Sequence, residues 1–165
     1  MTKERYEKIR AWFLARPAAL SAMRVLSTWL PRIVYCAYPL LLLFLLLRRD
    51  GRLLRAVLVP AVVFGAVTVL RELWNFRRPY EALEIEPLIP REKKGRSFPS
   101  RHAASAVIIA MAFWYVFPPL GAVMAMVALG IAIIRPLAGV HFPRDVIAGA
   151  VFSLAAGYIG FWVLK

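Results

Sequence analysis

The sequence contains too few charged residues to cover the surface of a soluble protein of its size. Only 19% of its 165 residues are charged and 61% are hydrophobic, whereas a soluble domain carries about 25% charged residues. Residues 33–47 form an uninterrupted apolar run, IVYCAYPLLLLFLLL. Runs of this kind are typical of helices that cross a lipid bilayer. The composition therefore predicts an integral membrane protein.

Cysteine and acidic residues are also scarce. The single cysteine, Cys36, excludes a disulfide framework within the chain and a cysteine-based metal site. The 9 Asp and Glu residues form no cluster of carboxylates of the kind that holds a divalent cation. The first residues lack the compact apolar core and the small-residue cleavage site of a signal peptide. We therefore expect no metal held by cysteines or by a cluster of carboxylates, and no cleaved leader.

Basic residues, in contrast, are abundant, and 22 Lys and Arg residues give the chain a net charge of +13. In a soluble protein such an excess would indicate nucleic-acid binding. Here the basic residues cluster at the ends of apolar runs, where they can reach lipid headgroups or an anionic substrate. We therefore expect membrane lipids and an anionic ligand as partners, and no nucleic acid.

The apolar runs predict an all-α, polytopic membrane helix bundle. The runs are uniformly apolar rather than alternating, which favours helices over barrel strands. The paired prolines at 117–121 predict a tight turn between two spans. Five transmembrane helices are predicted, at residues 32–47, 53–70, 102–117, 119–134 and 145–164.

The N-terminal part, residues 11–30, has two interpretations. Arg16 and Arg24 interrupt it, and each would be costly at the centre of a bilayer. An amphipathic helix near the membrane surface is preferred, and a sixth span is the alternative. With no internal repeat or linker in sight, residues 1–165 are interpreted as a single membrane-embedded domain, with an interfacial segment at 1–31 and the bundle at 32–165.

The order of the spans brings three polar clusters to one end of the bundle. The clusters occupy residues 71–81, 95–110 and 135–145. If 53–70 crosses the bilayer once and 102–117 crosses back, the first two clusters lie on one face. The third cluster follows two further crossings and therefore lies on the same face.

Each cluster by itself has an ordinary structural explanation. In the second cluster, Ser100 is placed at or near the N-cap of a helix whose free N–H groups favour an anion. In the third, Asp145 follows His141 by four residues, so its carboxylate can reach the imidazole, fix the tautomer and leave the other nitrogen as nucleophile or base. Taken singly, the first cluster can be explained by arginines that snorkel to lipid, the second by helix capping with a snorkelling arginine, and the third by a His–Asp contact without chemistry. Together the clusters predict a phosphate site.

The three clusters resemble the signature of the type 2 phosphatidic acid phosphatase superfamily, K-x6-R-P, P-S-G-H and S-R-x5-H-x3-D. The chain has R-x6-R-P at 71–79, P-S-R-H at 99–102 and I-R-x5-H-x3-D at 134–145. The order and spacing agree over roughly residues 33–164, and the small size without soluble appendages is typical of a bacterial form.

The resemblance implies a role for each matching residue. His141 would attack phosphorus to form a phosphohistidine, with Asp145 orienting it, and His102 would protonate the leaving oxygen and later activate water. The phosphate oxygens would be held by a set of cationic and hydroxyl side chains, namely Arg71, Arg78, Ser100 and Arg135. This chemistry requires no metal and no cofactor.

The chain departs from the signature at three positions, which leaves the oxyanion contacts open. Arg71 replaces the usual lysine, so that a guanidinium fork replaces a point donor. Ile134 replaces a serine, which removes a hydroxyl. Arg101 replaces a glycine, and its side chain either contacts the second phosphate of a diphosphate or snorkels to lipid headgroups.

The predicted function is a lipid phosphate or diphosphate phosphatase, with undecaprenyl diphosphate as the first choice of substrate. Phosphatidylglycerol phosphate and phosphatidic acid are the alternatives, and a lipid phosphotransferase would use the same phosphohistidine. A small channel or transporter is the non-enzyme alternative, which the clustering of charge at one end disfavours.

Two basic stretches give opposing indications of how the chain is oriented in the membrane. The basic stretch at 48–55 indicates that the face opposite the clusters is cytoplasmic, whereas the basic residues at 91–96 indicate the reverse. With the family's arrangement added, the site is placed on the outer face of the cell membrane.

Overall fold

The structure is a computed structural model that describes residues 1–90 and 94–164, so part of the basic run at 91–96 lies outside the described residues. Regular secondary structure in this part of the chain is helical throughout. The helices are α1 (Lys3–Leu14), α2 (Pro17–Leu47), α3 (Leu53–Trp74), the short α4 (Pro79–Ala82), α5 (Arg101–Val116), α6 (Pro118–Leu137) and α7 (Pro143–Tyr158), which a π-helical turn at Ile159–Val163 extends.

Four segments are long and apolar enough to cross a bilayer, namely Pro17–Leu47, Leu53–Ala82, Pro118–Leu137 and Pro143–Val163. The second of them comprises α3, the non-helical residues 75–78 and α4. The all-α membrane bundle predicted from the apolar runs is therefore confirmed. α6 begins at Pro118, directly after Phe117, so the expected turn at 117–121 is a break at one residue. Its paired prolines form the first turn of α6, where a missing backbone N–H costs nothing.

Residues 11–30 do not form a separate helix of their own, because α1 ends at Leu14 and α2 runs without a break from Pro17 to Leu47. At about 1.5 Å per residue, its 31 residues extend about 46 Å, well beyond a hydrocarbon core of about 30 Å. Arg16 directly precedes this helix, and Arg24 lies in its first third. A single long helix therefore places both arginines towards the polar end, and neither has to lie at the bilayer centre.

The shortest of the apolar helices, α5, lies at the centre of the bundle and packs against α2, α3, α6 and α7. Its inner faces carry small buried residues, namely Ala103, Ala104, Ala106, Ala110 and Ala112. Small side chains allow helix backbones to approach closely, which is the main source of helix association in lipid. This packing sets the start of α5 at the end of the bundle where the polar clusters meet.

Helix α1 lies against the loops at that same end. Tyr6 is fully buried, and its hydroxyl accepts a hydrogen bond from Leu88 N (3.1 Å) and lies 3.4 Å from the carbonyl oxygen of Ala138. Gly139 has φ +76°, and a Cβ at this position would stand 2.5 Å from the Tyr6 hydroxyl. The first helix is thus anchored directly over the loop that precedes His141.

Candidate active site

The three polar clusters meet around a small cavity of ≈ 60 Å³. Each cluster contributes to its lining, which consists of Arg71, Arg78, Arg101, His102, Arg135, Val140 and His141. The convergence expected from the order of the spans is present in the fold. A cavity of this size admits a group of a few atoms, since a water molecule needs at least about 10–15 Å³ on the same measure.

Arg71 connects the end of α3 to the loop that leads into α5. Its side chain is buried, and Nη1 donates to the carbonyl oxygen of Pro99 at 2.7 Å and to that of Ser97 at 3.3 Å. Backbone carbonyls therefore hold one edge of the guanidinium. Because the fork carries five N–H donors, these two contacts leave donors for the cavity.

Arg78 connects the first cluster to the third. Its Nε donates to Gly95 O at 3.0 Å, and its Nη1 donates to Val140 O at 3.2 Å. The carboxylate of Glu81 accepts from Arg78 N at 2.9 Å and from Gly95 N at 2.8 Å. The backbone around Arg78 is thereby held on both sides, with its guanidinium against the loop that carries His141.

In the second cluster, Ser100 occupies the N-cap position of α5, as its place in the sequence predicts. Its side chain makes no capping hydrogen bond, and within the described residues its buried Oγ has no hydrogen-bond partner. Its backbone N–H donates to Asp145 O at 2.7 Å. Arg101 and His102 form the first turn of α5, with the Arg101 guanidinium 5.6 Å from the centre of the Phe64 ring.

The third cluster spans the end of α6 and the start of α7. Arg135 lies in the last turn of α6 and is 3% exposed. His141 lies in the connecting loop and Asp145 in the first turn of α7, and both are buried. Val140 N donates to Arg135 O at 3.2 Å, so the loop turns back towards α6 and presents His141 to the cavity.

The contact between His141 and Asp145 is less direct than the spacing of four residues predicts. His141 Nδ1 is 3.6 Å from Asp145 Oδ2, which is longer than a normal hydrogen bond. The hydroxyl of Ser97 lies between the two groups, donating to Asp145 Oδ2 at 2.5 Å with its oxygen 3.4 Å from His141 Nδ1. Ser97 is not among the site residues predicted from the sequence. The only signal was a hydroxyl residue three positions before Ser100.

Burial keeps His141 neutral at physiological pH. Removal from water disfavours the imidazolium and lowers the pKa of His141 to about 4, and the nearby Arg78 charge acts in the same direction. The Asp145 carboxylate opposes this shift and only partly offsets it. A neutral imidazole has one nitrogen with a free lone pair, which is the form that a nucleophile or base requires.

A second cavity of ≈ 310 Å³ adjoins the first and shares Arg71, Arg78 and Arg101 with it. Its other lining residues are Thr68, Glu72, Lys94, Gly95 and Arg96. Arg96 is paired with Glu72 at 2.8 Å. Because most of the lining side chains are cationic, this cavity also suits an anionic group.

Arginine side chains supply positive charge around the small cavity. Within residues 1–90 and 94–164, no group of three His, Cys, Asp or Glu side chains is arranged to share a metal ion. The cations that line the small cavity are Arg71, Arg78, Arg101 and Arg135. Such guanidinium groups bind phosphate oxygens through charge-assisted and often bidentate hydrogen bonds.

Comparison with known proteins places the chain in a family. The PAP2 superfamily matches residues 52–165. The structure of Aquifex aeolicus LpxE is similar, with 30% sequence identity, a TM-score of 0.73 and coverage of 92% of each chain. A PAP2-type phosphatidylglycerolphosphate phosphatase from Bacillus subtilis shares the fold at 21% identity, with a TM-score of 0.53 and coverage of 94% of this chain and 93% of that one. A search of the curated proteins gave no significant match.

The family match covers most of the chain and includes all three clusters, and the similarity to LpxE extends over nearly the full length. The fold comparison with the Bacillus protein independently gives the same membrane bundle. The chain therefore belongs to the PAP2 superfamily and is a multi-pass membrane phosphatase.

Proposed function

We propose that this phosphatase acts on undecaprenyl diphosphate through a phosphohistidine formed at His141. The observation that carries the proposal is the small cavity, where a buried, neutral histidine lies among four arginines. A neutral imidazole provides the nucleophile, and the arginines offset the charge that develops on the phosphoryl oxygens. A group of a few atoms, such as one phosphoryl group, fits the space.

In the proposed first step, the Nε2 lone pair of His141 attacks phosphorus. The N–P bond forms while the bond from phosphorus to the leaving oxygen breaks, and His102 gives that oxygen a proton. In the second step His102 takes a proton from water and the water oxygen attacks phosphorus. The N–P bond breaks, its electron pair returns to His141 Nε2, and inorganic phosphate leaves. Asp145 holds the ring and balances the positive charge of the phosphorylated imidazole.

The proposed oxyanion contacts come from all three clusters. Arg71 and Arg78 are already fixed by backbone carbonyls, so little reorganisation is needed when a phosphate enters. Arg135 lines the cavity at the end of α6. The buried hydroxyl of Ser100, which has no hydrogen-bond partner within the described residues, is proposed as a further donor to a phosphate oxygen. Preorganised donors of this kind are the largest single source of stabilisation in phosphoryl transfer.

The second cavity supports a diphosphate rather than a monophosphate substrate. It adjoins the phosphoryl-sized cavity and shares three arginines with it, and Lys94 and Arg96 extend the cationic surface. With the terminal phosphate against His141, the second phosphate would lie between Arg101 and these residues. A monophosphate would make no use of this second cavity, where Glu72 is paired with Arg96 and the other charged lining side chains are cationic.

We place the active site on the outer face of the cell membrane. The end of the bundle opposite the site carries Arg48 and Arg49 at the close of α2, and Arg52 and Arg55 at the start of α3. Concentrated arginines in a short loop favour the cytoplasmic side. Labelling of Arg77→Cys by an impermeant thiol reagent in intact cells, in a Cys36→Ser background, tests this placement. Protection of that cysteine until the cells are lysed would contradict it.

The substrate is tested by phosphate release from a panel of purified lipids in one detergent, with EDTA present throughout. The panel contains undecaprenyl diphosphate, phosphatidylglycerol phosphate and phosphatidic acid. We expect the highest kcat/KM for the diphosphate. If either phosphatidylglycerol phosphate or phosphatidic acid is hydrolysed faster, that lipid becomes the assigned substrate in place of undecaprenyl diphosphate. Transfer of the phosphoryl group to an added alcohol in preference to water would indicate a phosphotransferase.

A further inference from the structure

Ser97 is a buried hydroxyl residue between the two members of the His141–Asp145 pair. Its backbone is held on both sides, because its N–H donates to Phe76 O at 2.8 Å and its carbonyl oxygen accepts from Arg71 Nη1 at 3.3 Å. The residue is 0% exposed. The side chain therefore has one fixed environment, which contains the carboxylate and the imidazole.

Asp145 and His141 each lie closer to the Ser97 hydroxyl than to one another. Its oxygen is 2.5 Å from Asp145 Oδ2 and 3.4 Å from His141 Nδ1, whereas His141 Nδ1 and Asp145 Oδ2 are 3.6 Å apart. An ionised carboxylate only accepts hydrogen bonds, so the single hydroxyl proton goes to Asp145. The lone pairs of the Ser97 oxygen then face His141 Nδ1, where they can accept a proton but cannot supply one.

This arrangement determines the histidine tautomer. With an acceptor on its Nδ1 side, His141 carries its proton on Nδ1 and keeps the Nε2 lone pair free. Asp145 does not perform this task alone, because its Oδ2 already accepts from both Ser97 Oγ at 2.5 Å and Phe142 N at 2.9 Å. The same oxygen is 3.6 Å from His141 Nδ1, beyond normal hydrogen-bond distance.

We propose that Ser97 is a positioning residue that couples Asp145 to His141 and holds the imidazole as the Nδ1–H tautomer for attack through Nε2. This inference rests on the proposed role of His141 as nucleophile. When the N–P bond forms, the ring keeps its Nδ1 proton and becomes positively charged. The hydrogen bond to the Ser97 oxygen then strengthens, and that hydroxyl transmits the carboxylate's charge without any proton leaving the ring.

The test compares Ser97→Ala with Ser97→Thr and with a matched control. Ser97→Ala should lower kcat by about 10- to 100-fold, as removal of an outer partner of a functional histidine does, while KM changes little because the arginine contacts remain. Ser97→Thr restores the hydroxyl and should recover most of the rate. Ser153→Ala is the control, since Ser153 is equally buried but donates to Ala104 O at 3.0 Å within the helix packing.

The step affected is measured directly by rapid-quench formation of the phosphoenzyme on the lipid of the panel that the wild type hydrolyses fastest. The rate constant of this step should fall in Ser97→Ala and remain unchanged in Ser153→Ala. Should Ser97→Ala fail to fold, Ser97→Cys keeps the side-chain size with a weak donor and should show the same slow step. A wild-type rate in whichever of these two variants folds would overturn the inference.

Failure of the underlying proposal gives a different pattern. A His141→Ala variant with full activity would remove the nucleophile, and with it the basis for Ser97. An inactive His141→Ala variant beside a fully active Ser97→Ala variant would leave the proposed function intact and refute the positioning role alone.

Discussion

Gly149 on α7 packs directly against the backbone of Ser100 at the start of α5. A Cβ at position 149 would stand 2.6 Å from the carbonyl oxygen of Ser100. The same contact region contains the hydrogen bond from Ser100 N to Asp145 O at 2.7 Å. The distance between these two helices therefore determines how the second cluster meets the third.

Gly149→Ala should separate α5 from α7 and lower activity. The neighbour is backbone rather than a flexible side chain, so the added methyl group displaces a helix, and a displacement of about 1 Å can reduce the rate about 100-fold. The measurement is kcat together with the thermal midpoint in detergent. Gly65→Ala is the control, because nothing lies within 4 Å of a Cβ at that helical position. Equal activity of the two variants would show that the close approach is unimportant.

Tyr6→Phe should destabilise the protein and loosen the loop before His141. The change removes one of the two acceptors of Leu88 N–H, which donates to the Tyr6 hydroxyl and to Ala138 O, each at 3.1 Å. Loss of one such hydrogen bond costs about 0.5–1.5 kcal/mol. For a protein of this length, the thermal midpoint should fall by about 2–4 °C per kcal/mol. Tyr35→Phe, on an exposed tyrosine of α2, is the control and should be neutral. No difference between the two would argue against anchoring by α1.

The buried imidazole predicts a specific dependence of stability on pH. His141 has a folded-state pKa of about 4, below an unfolded value of about 6.5. Between these values the unfolded chain binds a proton that the folded chain does not, so stability decreases as pH falls through this window. His141→Gln should show a shallower loss of thermal stability from pH 7 to pH 5, with His102→Gln as the comparison. Parallel curves for wild type and His141→Gln would contradict a neutral His141.

Arg101→Gly tests whether the arginine in P-S-R-H binds the second phosphate. Arg101 lines both cavities, and a charge-assisted hydrogen bond contributes about 1.5–3 kcal/mol. The ratio of kcat/KM for diphosphate over monophosphate should therefore fall about tenfold or more. Arg77→Gln, an exposed arginine that lines neither cavity, should leave the ratio unchanged. An unaltered ratio in Arg101→Gly would remove the main support for a diphosphate substrate.

The clusters that form the site could be predicted from the sequence because placing their charged and polar side chains in lipid costs free energy. Arg71, Arg135 and His141 interrupt or border apolar runs, and the alternation of spans alone requires them to share one face. The continuous helix α2 could not be predicted in this way. Arg16 and Arg24 are compatible either with an interfacial helix or with the polar end of a span longer than the bilayer, and the local sequence does not distinguish these two structures.

Ser97 and Tyr6 could not be predicted for a different reason. A serine before a helix and a tyrosine in an N-terminal helix are common in any sequence, and neither residue carries a charge that would be costly to bury. Their importance comes from partners distant in the chain, Asp145 for Ser97 and Leu88 for Tyr6. Only the packing of the helices brings those partners together.

The central claim, that His141 is the phosphorylated nucleophile, is tested most directly by trapping the intermediate. The enzyme is mixed with a lipid labelled in its terminal phosphate, and the reaction is quenched rapidly without acid. This should yield an acid-labile, base-stable phosphoenzyme, and peptide mapping should locate the label on His141. His141→Ala should form none, whereas His102→Ala should still be labelled by a substrate with a good leaving group and turn over about 10²–10⁴-fold more slowly. Label on another residue, or full turnover by His141→Ala, would contradict the account.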